Sequence, residues 1–330
     1  MARRLTGFTP SGDLHLGNYI GAIRPIVEAR RSAASSTDTV IFVSDLHALT
    51  LEHDPATVRR RTLEFAQLLL AAGADPKRCL FLVQSHVPQH TELHYLLECV
   101  AGYGEAKRMI QFKEKSAKQA QVRMSLLTYP ILMASDILLY DTDEVPVGAD
   151  QKQHVELARD IAARFNSRYG RTFKVPRVVN PPIAARLKDL ASPADKMSKS
   201  SASAAGVLLL LDSKDVLRRK VMNAVTDTGN SVAYDPERKP GVSNLLDILA
   251  ACTGGDPSEL SGHFDRYSDL KKAVADEVIN TIAPIRKQYD ALSACPGYVR
   301  TVLRQGAAQA RDLAEEKLRQ TKRAIGLLEP

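Results

Sequence analysis

Tryptophan is absent from all 330 positions, and the four cysteines, Cys79, Cys99, Cys252 and Cys295, stand far apart with no Cys-x-x-Cys pair. That spacing excludes a zinc knuckle and a dithiol redox motif, leaving reduced structural thiols as the simple reading. No run approaches twenty apolar residues, and Met1-Ala2-Arg3-Arg4 leads into polar Thr6 rather than a hydrophobic signal core. A cytoplasmic chain is therefore expected rather than a spanning or secreted one. Internal repeats and low-complexity tracts are also missing, which removes solenoids and disordered scaffolds. What is present is 44% hydrophobic and 25% charged residues, enough to bury a sizeable core, and the length predicts two domains. Lys+Arg 45 against Asp+Glu 38 gives a net charge of +7, which suits a polyanionic partner without requiring one.

Short β-type runs at Arg3–Phe8, Val40–Val43 and Leu80–Val83 alternate with helical patterns. Within Gly17–Arg30, Ile20, Ile23 and Val27 share a stripe; Val58, Thr62, Phe65 and Leu69 repeat it, and His90–Val100 carries Leu93, Leu96, Leu97 and Val100. A βαβαβ order with apolar strands implies a parallel sheet covered by helices, with ligand at the carboxyl ends of the strands. From Gly104 to about Phe165 the pattern is mostly helical, and the β-branched, Pro-rich stretch Val175–Pro182 predicts one returning strand and a loop. Beyond Asp212 nearly everything reads helical. The expected architecture is α/β: a Rossmann-like parallel-sheet catalytic domain over 1–205 with a helical insertion at about 104–140, then an all-helical domain over 206–330.

Thr9-Pro10-Ser11-Gly12-Asp13-Leu14-His15-Leu16-Gly17-Asn18 joins the first strand to the first helix. Pro10 and Gly12 shape a tight turn, Gly17 admits a ligand against the helix start, and helix N-terminal amides attract phosphate. His15 and Asn18 add donors; an ordinary strand–turn–helix connection with a surface histidine fits the same residues. Later, Lys196-Met197-Ser198-Lys199-Ser200 places two lysines three apart beside two hydroxyls. Paired ammonium groups stabilise charge developing on leaving phosphate oxygens without proton transfer, although a solvated basic loop is the plain alternative. Met197 is apolar in a polar loop, which argues against mere solvation.

Three further places invite a chemical reading. Asp136 is a carboxylate inside the apolar stretch 126–140, costly to bury without a donor; an ion pair with a nearby Lys or Arg is as simple an account as a ligand's N–H. Asp150 after Gly148 and Ala149 reads as an N-cap, with Gln151 and His154 on the polar face of the following helix. His47 follows the second strand, where ligands bind, though a satisfied structural histidine fits too. His86, His90 and His94 recur every four residues, but Pro88 breaks any helix that would align them, so they are not read as metal ligands.

H-L-G-N after the first strand and K-M-S-K-S near residue 200, in that order, resemble the two signatures of class I aminoacyl-tRNA synthetases. Around them, Gly148–His154, Gln111-Phe112-Lys113-Glu114-Lys115, Leu127–Leu138, Val225-Thr226-Asp227 and Lys239–Leu246 are similar to the bacterial tryptophanyl branch of that family, over essentially the whole chain. The resemblance implies ATP-dependent attachment of L-tryptophan to tRNA(Trp) through a tryptophanyl adenylate, with Mg²⁺ on the phosphates. It implies an ATP site from Thr9, Pro10, Ser11, Gly17, Asn18, Lys115, Gly148, Ala149, Asp150, Leu187 and the loop Lys196, Met197, Ser198, Lys199, Ser200. His15, Asn18, Lys196 and Lys199 would stabilise the transition state. Asp136 would read the indole N–H, with Met133, Phe8, His47, Tyr129 and Gln151 around the amino acid.

The resemblance also implies a homodimer through about 104–140 and tRNA contacts from Arg218, Arg219, Lys220, Arg319, Lys322 and Arg323. The missing tryptophan then suits an enzyme whose own synthesis does not draw on its product. Thr9 and Leu46 depart from the family, which often has glutamine at both, and are expected to tune affinity for tryptophan-like ligands. Two rival readings are tyrosyl-tRNA synthetase, which shares the signatures, and a non-catalytic RNA-binding paralogue, which would not need both lysines of the loop.

Overall fold

The computed structural model describes residues 2–29, 38–117, 119, 121–179, 187–197, 204–229 and 231–328. Five parallel strands, β1 (Arg4–Phe8), β2 (Thr39–Val43), β3 (Leu80–Val83), β4 (Glu144–Pro146) and β5 (Arg177–Val179), form one sheet in the order β3-β2-β1-β4-β5. Between β1 and β2 lie α1 (Leu16–Asn18), a π-helical turn (Tyr19–Ile23) and α2 (Arg24–Ala29), and after β2 come α3 (Asp45–Ala48) and α4 (Pro55–Ala71). Between β3 and β4 run α5 (Gln89–Glu98), α6 (Tyr103–Arg108), α7 (Ile110–Ser116) and α8 (Met124–Leu138). The remainder is α9 (Lys152–Tyr169), α10 (Lys214–Met222), α11 (Pro240–Thr253), α12 (Pro257–Ser261), α13 (Tyr267–Ala294) and α14 (Pro296–Ile325).

Every residue of β2 and β3 is buried, which explains why these strands read as unbroken apolar runs: helices cover both faces of a parallel sheet. Strand order reverses between β1 and β4, the topological switch point where such sheets bind ligands. The β1–β4 register is a single pair, Arg4↔Glu144, at the amino ends of both strands. The strand β4 has no counterpart in the sequence reading. It is only three residues long and begins on an acid, Glu144, which is held in place by bonds from Arg4 Nε at 2.7 Å and from Arg177.

The chain groups into two compact units. One comprises Met1–Ser11, Ala29–Pro181 and Cys295–Pro330; the other comprises Gly12–Glu28 and Pro182–Ala294. This differs from one cut near residue 205, for two reasons. The segment 14–16 is hydrogen-bonded to 208–210, through Leu16 N–H to Leu208 O (2.8 Å) and Leu210 N–H to Leu14 O (3.0 Å). And α14 belongs with the sheet: a Cβ built on Gly306 would lie 1.8 Å from the Phe81 carbonyl oxygen, so the helix backbone rests directly on β3. Glycine in a helix interior costs about 1 kcal/mol relative to alanine, and here that cost is what permits the approach. The helix is anchored further by Lys317, only 7% exposed, whose Nζ reaches Thr172 O at 2.9 Å and Asp141 Oδ1 at 2.8 Å.

In the second unit α13 packs against α10 and α11. Two sequence motifs meet here for structural reasons. Asp227 Oδ1 accepts from Tyr267 OH (2.7 Å), Lys239 Nζ (3.1 Å) and Gly229 N–H (2.7 Å), while a Cβ on Gly241 would lie 2.1 Å from Val225 O. The expected stripe over 17–30 shifts at its end: Ile20, Ile23 and Ile26 are buried and Val27 is not.

Candidate active site

The residues that end β2 and β3 turn towards α8. On α8, Tyr129, Met133 and Asp136 follow an i, i+4, i+7 spacing and so share a face, while Leu126, Ile131, Ala134 and Ile137 lie in the core. Asp136 is 1% exposed, yet among the described residues no Lys or Arg pairs with it. Its Oδ1 accepts from Gln84 Nε2 at 2.8 Å and from His90 Nδ1 at 2.6 Å; its Oδ2 accepts from His47 Nε2 at 2.8 Å. Burial alone would raise the carboxyl pKa, but the bonds from His47 and His90 outweigh it and hold it down at about 2.

The network fixes protonation as well as position. A carboxylate only accepts, so His90 must carry a proton on Nδ1, and its Nε2 lies 2.8 Å from Tyr140 OH. Burial, with the Asp136 charge adding to it, raises the Tyr140 pKa and keeps that hydroxyl protonated. Gln84 uses its other end to accept Leu46 N–H at 3.1 Å, tying α3 to the same carboxylate. The helix is locked to α5 by Ser135 Oγ donating to His90 O at 2.7 Å.

A second cluster adjoins the first through Tyr129, whose ring meets His47 edge-on at 6.2 Å between centroids. His154 Nε2 lies 2.9 Å from Tyr129 OH, which in turn donates to Gln111 Oε1 at 3.4 Å. Far from occupying a polar face, His154 is fully buried. Burial first, and the nearby Lys115 charge second, pull its pKa to about 4, so it is neutral at pH 7. Burial together with the Asp150 charge pushes the Tyr129 hydroxyl up to about 12. The Lys115 ammonium stands 5.1 Å from the Tyr129 ring centroid.

Asp150 is not the N-cap of α9; Gln151 occupies that position without a side-chain cap. Instead Asp150 sits in a short 3₁₀ turn, where its Oδ2 accepts from Gln151 Nε2 at 3.1 Å and Gln111 Nε2 reaches its carbonyl at 3.3 Å. A Cβ on Gly148 would lie 2.8 Å from Asp150 Oδ1, so any larger residue there would have to displace that carboxylate. Phe8, half-buried at the end of β1, and Met133 belong to this unit too. Thr9 Oγ1 bonds Ser44 Oγ at 3.0 Å, and Ser44 N–H bonds Phe8 O at 3.0 Å, so the ends of β1 and β2 are stitched together. Thr9, Pro10 and Ser11 after β1, and Gly148, Ala149 and Asp150 after β4, thus flank the switch point.

The second unit carries the H-L-G-N turn and the first two residues of K-M-S-K-S. His15, 4% exposed, forms an antiparallel bridge with Leu209, and its N–H donates to Asn18 Oδ1 at 3.2 Å. A Cβ on Gly17 would lie 3.1 Å from the His15 ring, which explains the glycine two residues on. Leu190 N–H reaches Gly206 O at 2.9 Å, Met197 N–H reaches Leu187 O at 2.9 Å, and Lys188 bridges Lys196. The early turn and the late loop are therefore parts of one hydrogen-bonded framework. Met197 and Leu187 are each about 1–2% exposed and anchor the loop, whereas Lys196 is exposed. Ser198, Lys199 and Ser200 lie outside the described residues.

Residues 2–283 match the family of class I tRNA synthetases for tryptophan and tyrosine. The chain belongs to that family. Tryptophan–tRNA ligase 1 of Streptomyces coelicolor is 55% identical, covering 100% of this chain and 98% of its own length; tryptophan–tRNA ligase of Leifsonia xyli is 47% identical over 99% and 98%. Among solved structures, tryptophanyl-tRNA synthetase of Mycoplasma pneumoniae superposes with a TM-score of 0.90 at 35% identity, covering 99% of this chain and 98% of that one. The Campylobacter jejuni enzyme, solved with ADP and tryptophan, gives 0.85 at 33% identity over 98% and 100%. Tyrosyl-tRNA synthetase of Aeropyrum pernix, at 24% identity and a TM-score of 0.67, covering 92% of this chain and 89% of that one, shares the fold.

Within this class I synthetase, sequence reasoning missed Gln84, His90 and Tyr140 as parts of the Asp136 network. Gln84 carried a usable signal, a polar residue capping the apolar run Leu80–Val83 at the ligand end of a parallel strand. His90 carried none, because its carboxylate partner is 46 residues away. Most of the expected tRNA-facing cations are engaged within the chain. Arg218 pairs with Asp276 at 2.7 Å, Lys220 with Asp212 at 2.7 Å, Arg319 with Glu316 at 2.5 Å, and Lys322 with Glu92.

Proposed function

We infer that this chain activates L-tryptophan with ATP and transfers it to tRNA(Trp). The observation that carries the reading is the buried Asp136 carboxylate, held ionised by His47, His90 and Gln84. A carboxylate oxygen has about two acceptor sites. Oδ2 takes one donor, from His47, and keeps capacity for an indole N–H. Phenylalanine offers no such donor, and an unpaired buried acceptor penalises it. Full-length relatives named as tryptophan–tRNA ligases support the same amino acid.

In the first step the tryptophan carboxylate attacks the ATP α-phosphorus and pyrophosphate leaves. Thr9–Ser11, Lys115, Gly148–Asp150 and Leu187 hold the nucleotide, Phe8, Tyr129, Met133 and Gln151 the amino acid, and His15, Asn18, Lys196 and Lys199 the charge on the departing phosphates. Mg²⁺ enters on the triphosphate as part of the substrate. In the second step a terminal ribose hydroxyl of the tRNA attacks the adenylate carbonyl and AMP leaves. No helix among the described residues is long and apolar enough to cross a membrane, and the cytoplasm, where tRNA is charged, is the proposed location.

ATP–pyrophosphate exchange measured across the amino acids tests the function. Exchange dependent on tryptophan alone is expected; exchange with tyrosine instead, or none, would overturn it. A homodimer through 104–140 is part of the same reading, since Ile110 and Met124 in that stretch, and Tyr103 beside it, are 58%, 72% and 68% exposed. Met124→Glu should therefore yield monomers in sedimentation equilibrium where the parent chain gives dimers, and an unchanged mass would remove this interface.

A further inference from the structure

The run Lys239–Leu246 opens α11, and no step of the proposed reaction draws on it. Pro240 starts the helix, and Val242, Leu245 and Leu246 are fully buried. Asn244 is a polar residue on the same buried turn, 2% exposed. A buried carboxamide has to find both an acceptor and a donor, and Asn244 finds them on a single residue 56 positions away. Its Oδ1 accepts Lys188 N–H at 2.8 Å, and its Nδ2 donates to Lys188 O at 3.0 Å.

Lys188 is the strand partner of Lys196. Residues 187–189 and 195–197 run antiparallel: Met197 N–H donates to Leu187 O at 2.9 Å, Asp189 N–H donates to Asp195 O at 3.0 Å, and Lys188 bridges Lys196 between these two bonds. In an antiparallel pair, a residue set between two bonded positions turns its own N–H and C=O to the opposite edge. There a third strand would ordinarily meet them, and the Asn244 carboxamide stands in for that strand's peptide group. The same edge is held a second time. Leu190 O accepts Val225 N–H at 2.8 Å, and a Cβ on Gly241 would lie 2.1 Å from Val225 O, so α11 also rests directly on Val225. Leu187 and Met197 bury their side chains on this base, while Lys196 between them in the ladder is exposed.

We propose that Asn244 is a positioning residue for the activation step: by clamping Lys188 it fixes the backbone from which the Lys196 ammonium reaches the leaving phosphates. The proposal rests on the function inferred above, because that function gives Lys196 its task. Without the carboxamide, Lys188 N–H and C=O lose their partners and the strand that aligns Lys196 can shift. A misplacement of about 1 Å in a group that acts on the transition state costs on the order of 10²-fold in rate.

Asn244→Ala should therefore lower the kcat of tryptophan-dependent pyrophosphate exchange about 10–100-fold. The KM for tryptophan should stay within about threefold, because the residues proposed to surround the amino acid belong to the other unit. Deleting Lys196 as well separates positioning from general damage. In a Lys196→Ala background, Asn244→Ala should lower kcat by no more than about a further threefold, since the clamp then has no ammonium to aim. Losses that multiply in the double variant, or a raised KM for tryptophan with unchanged kcat, would overturn the assignment. Should the alanine variant fail to fold, Asn244→Asp keeps the size and the acceptor for Lys188 N–H while setting an oxygen against Lys188 O. Its kcat should fall about tenfold, with the same dependence on Lys196. An unchanged kcat in a folded variant, with normal exchange in the wild type, would overturn the clamp and leave the function standing. Absence of exchange in the wild-type chain would defeat the function itself, and this proposal with it.

Discussion

Asp136→Asn should reduce tryptophan-dependent exchange, measured as kcat/KM, by about 10³-fold or more, with the KM for ATP little changed. The amide replaces one acceptor oxygen with a donor. Whichever way it turns, it faces the N–H of His47, or those of His90 and Gln84, with another N–H. A buried donor left unpaired costs about 1–3 kcal/mol, and removing one partner from a buried charged network about 3–5 kcal/mol, so a loss of about 3 kcal/mol in stability is expected as well. The two effects separate by pH. The native carboxyl is depressed from an ordinary 3.8 to about 2. Its stabilisation is therefore complete above about pH 4 and is lost as pH falls towards 2. The stability gap between wild type and variant should narrow over that window in denaturant titrations. A gap independent of pH, together with intact tryptophan activation, would sink the assignment.

Lys196→Ala acts on the rate and not on the fold. Lys196 is exposed, beside a buried Met197, so its removal should leave thermal unfolding unchanged. An ammonium that meets charge developing only on leaving phosphates contributes to the transition state rather than to ground-state binding. Exchange kcat is expected to fall about 10²–10³-fold, or roughly 3–4 kcal/mol, while the KM for tryptophan stays within about threefold. Lys196→Arg should recover only part, because a planar fork does not replace a compact charge. A KM effect without a kcat effect would reassign Lys196 to ground-state binding.

The family and the amino-acid class were legible in the chain because the motifs that carry them depend on local order. H-L-G-N follows a strand and opens a helix, and Met197, an apolar residue among polar neighbours, is buried at 1% exposure. The three long strands were equally legible, since β2 and β3 are buried on both faces and must be apolar throughout. The strand β4 escaped because an acid paired with two arginines does not resemble a strand until the arginines are in place.

By itself the sequence determined the class of fold, the two signatures and the solitary carboxylate within an apolar helix. Tertiary structure alone decided what that carboxylate does: Gln84, His90 and His47 converge on it from 52, 46 and 89 residues away. It also decided that α14 returns to the sheet through the bare backbone at Gly306, and that residues 12–28 join the later loop. The reason is general. Periodicity and motif order are properties of neighbours along the chain, whereas buried hydrogen-bond partners and close backbone approach are set only when distant segments share one interior.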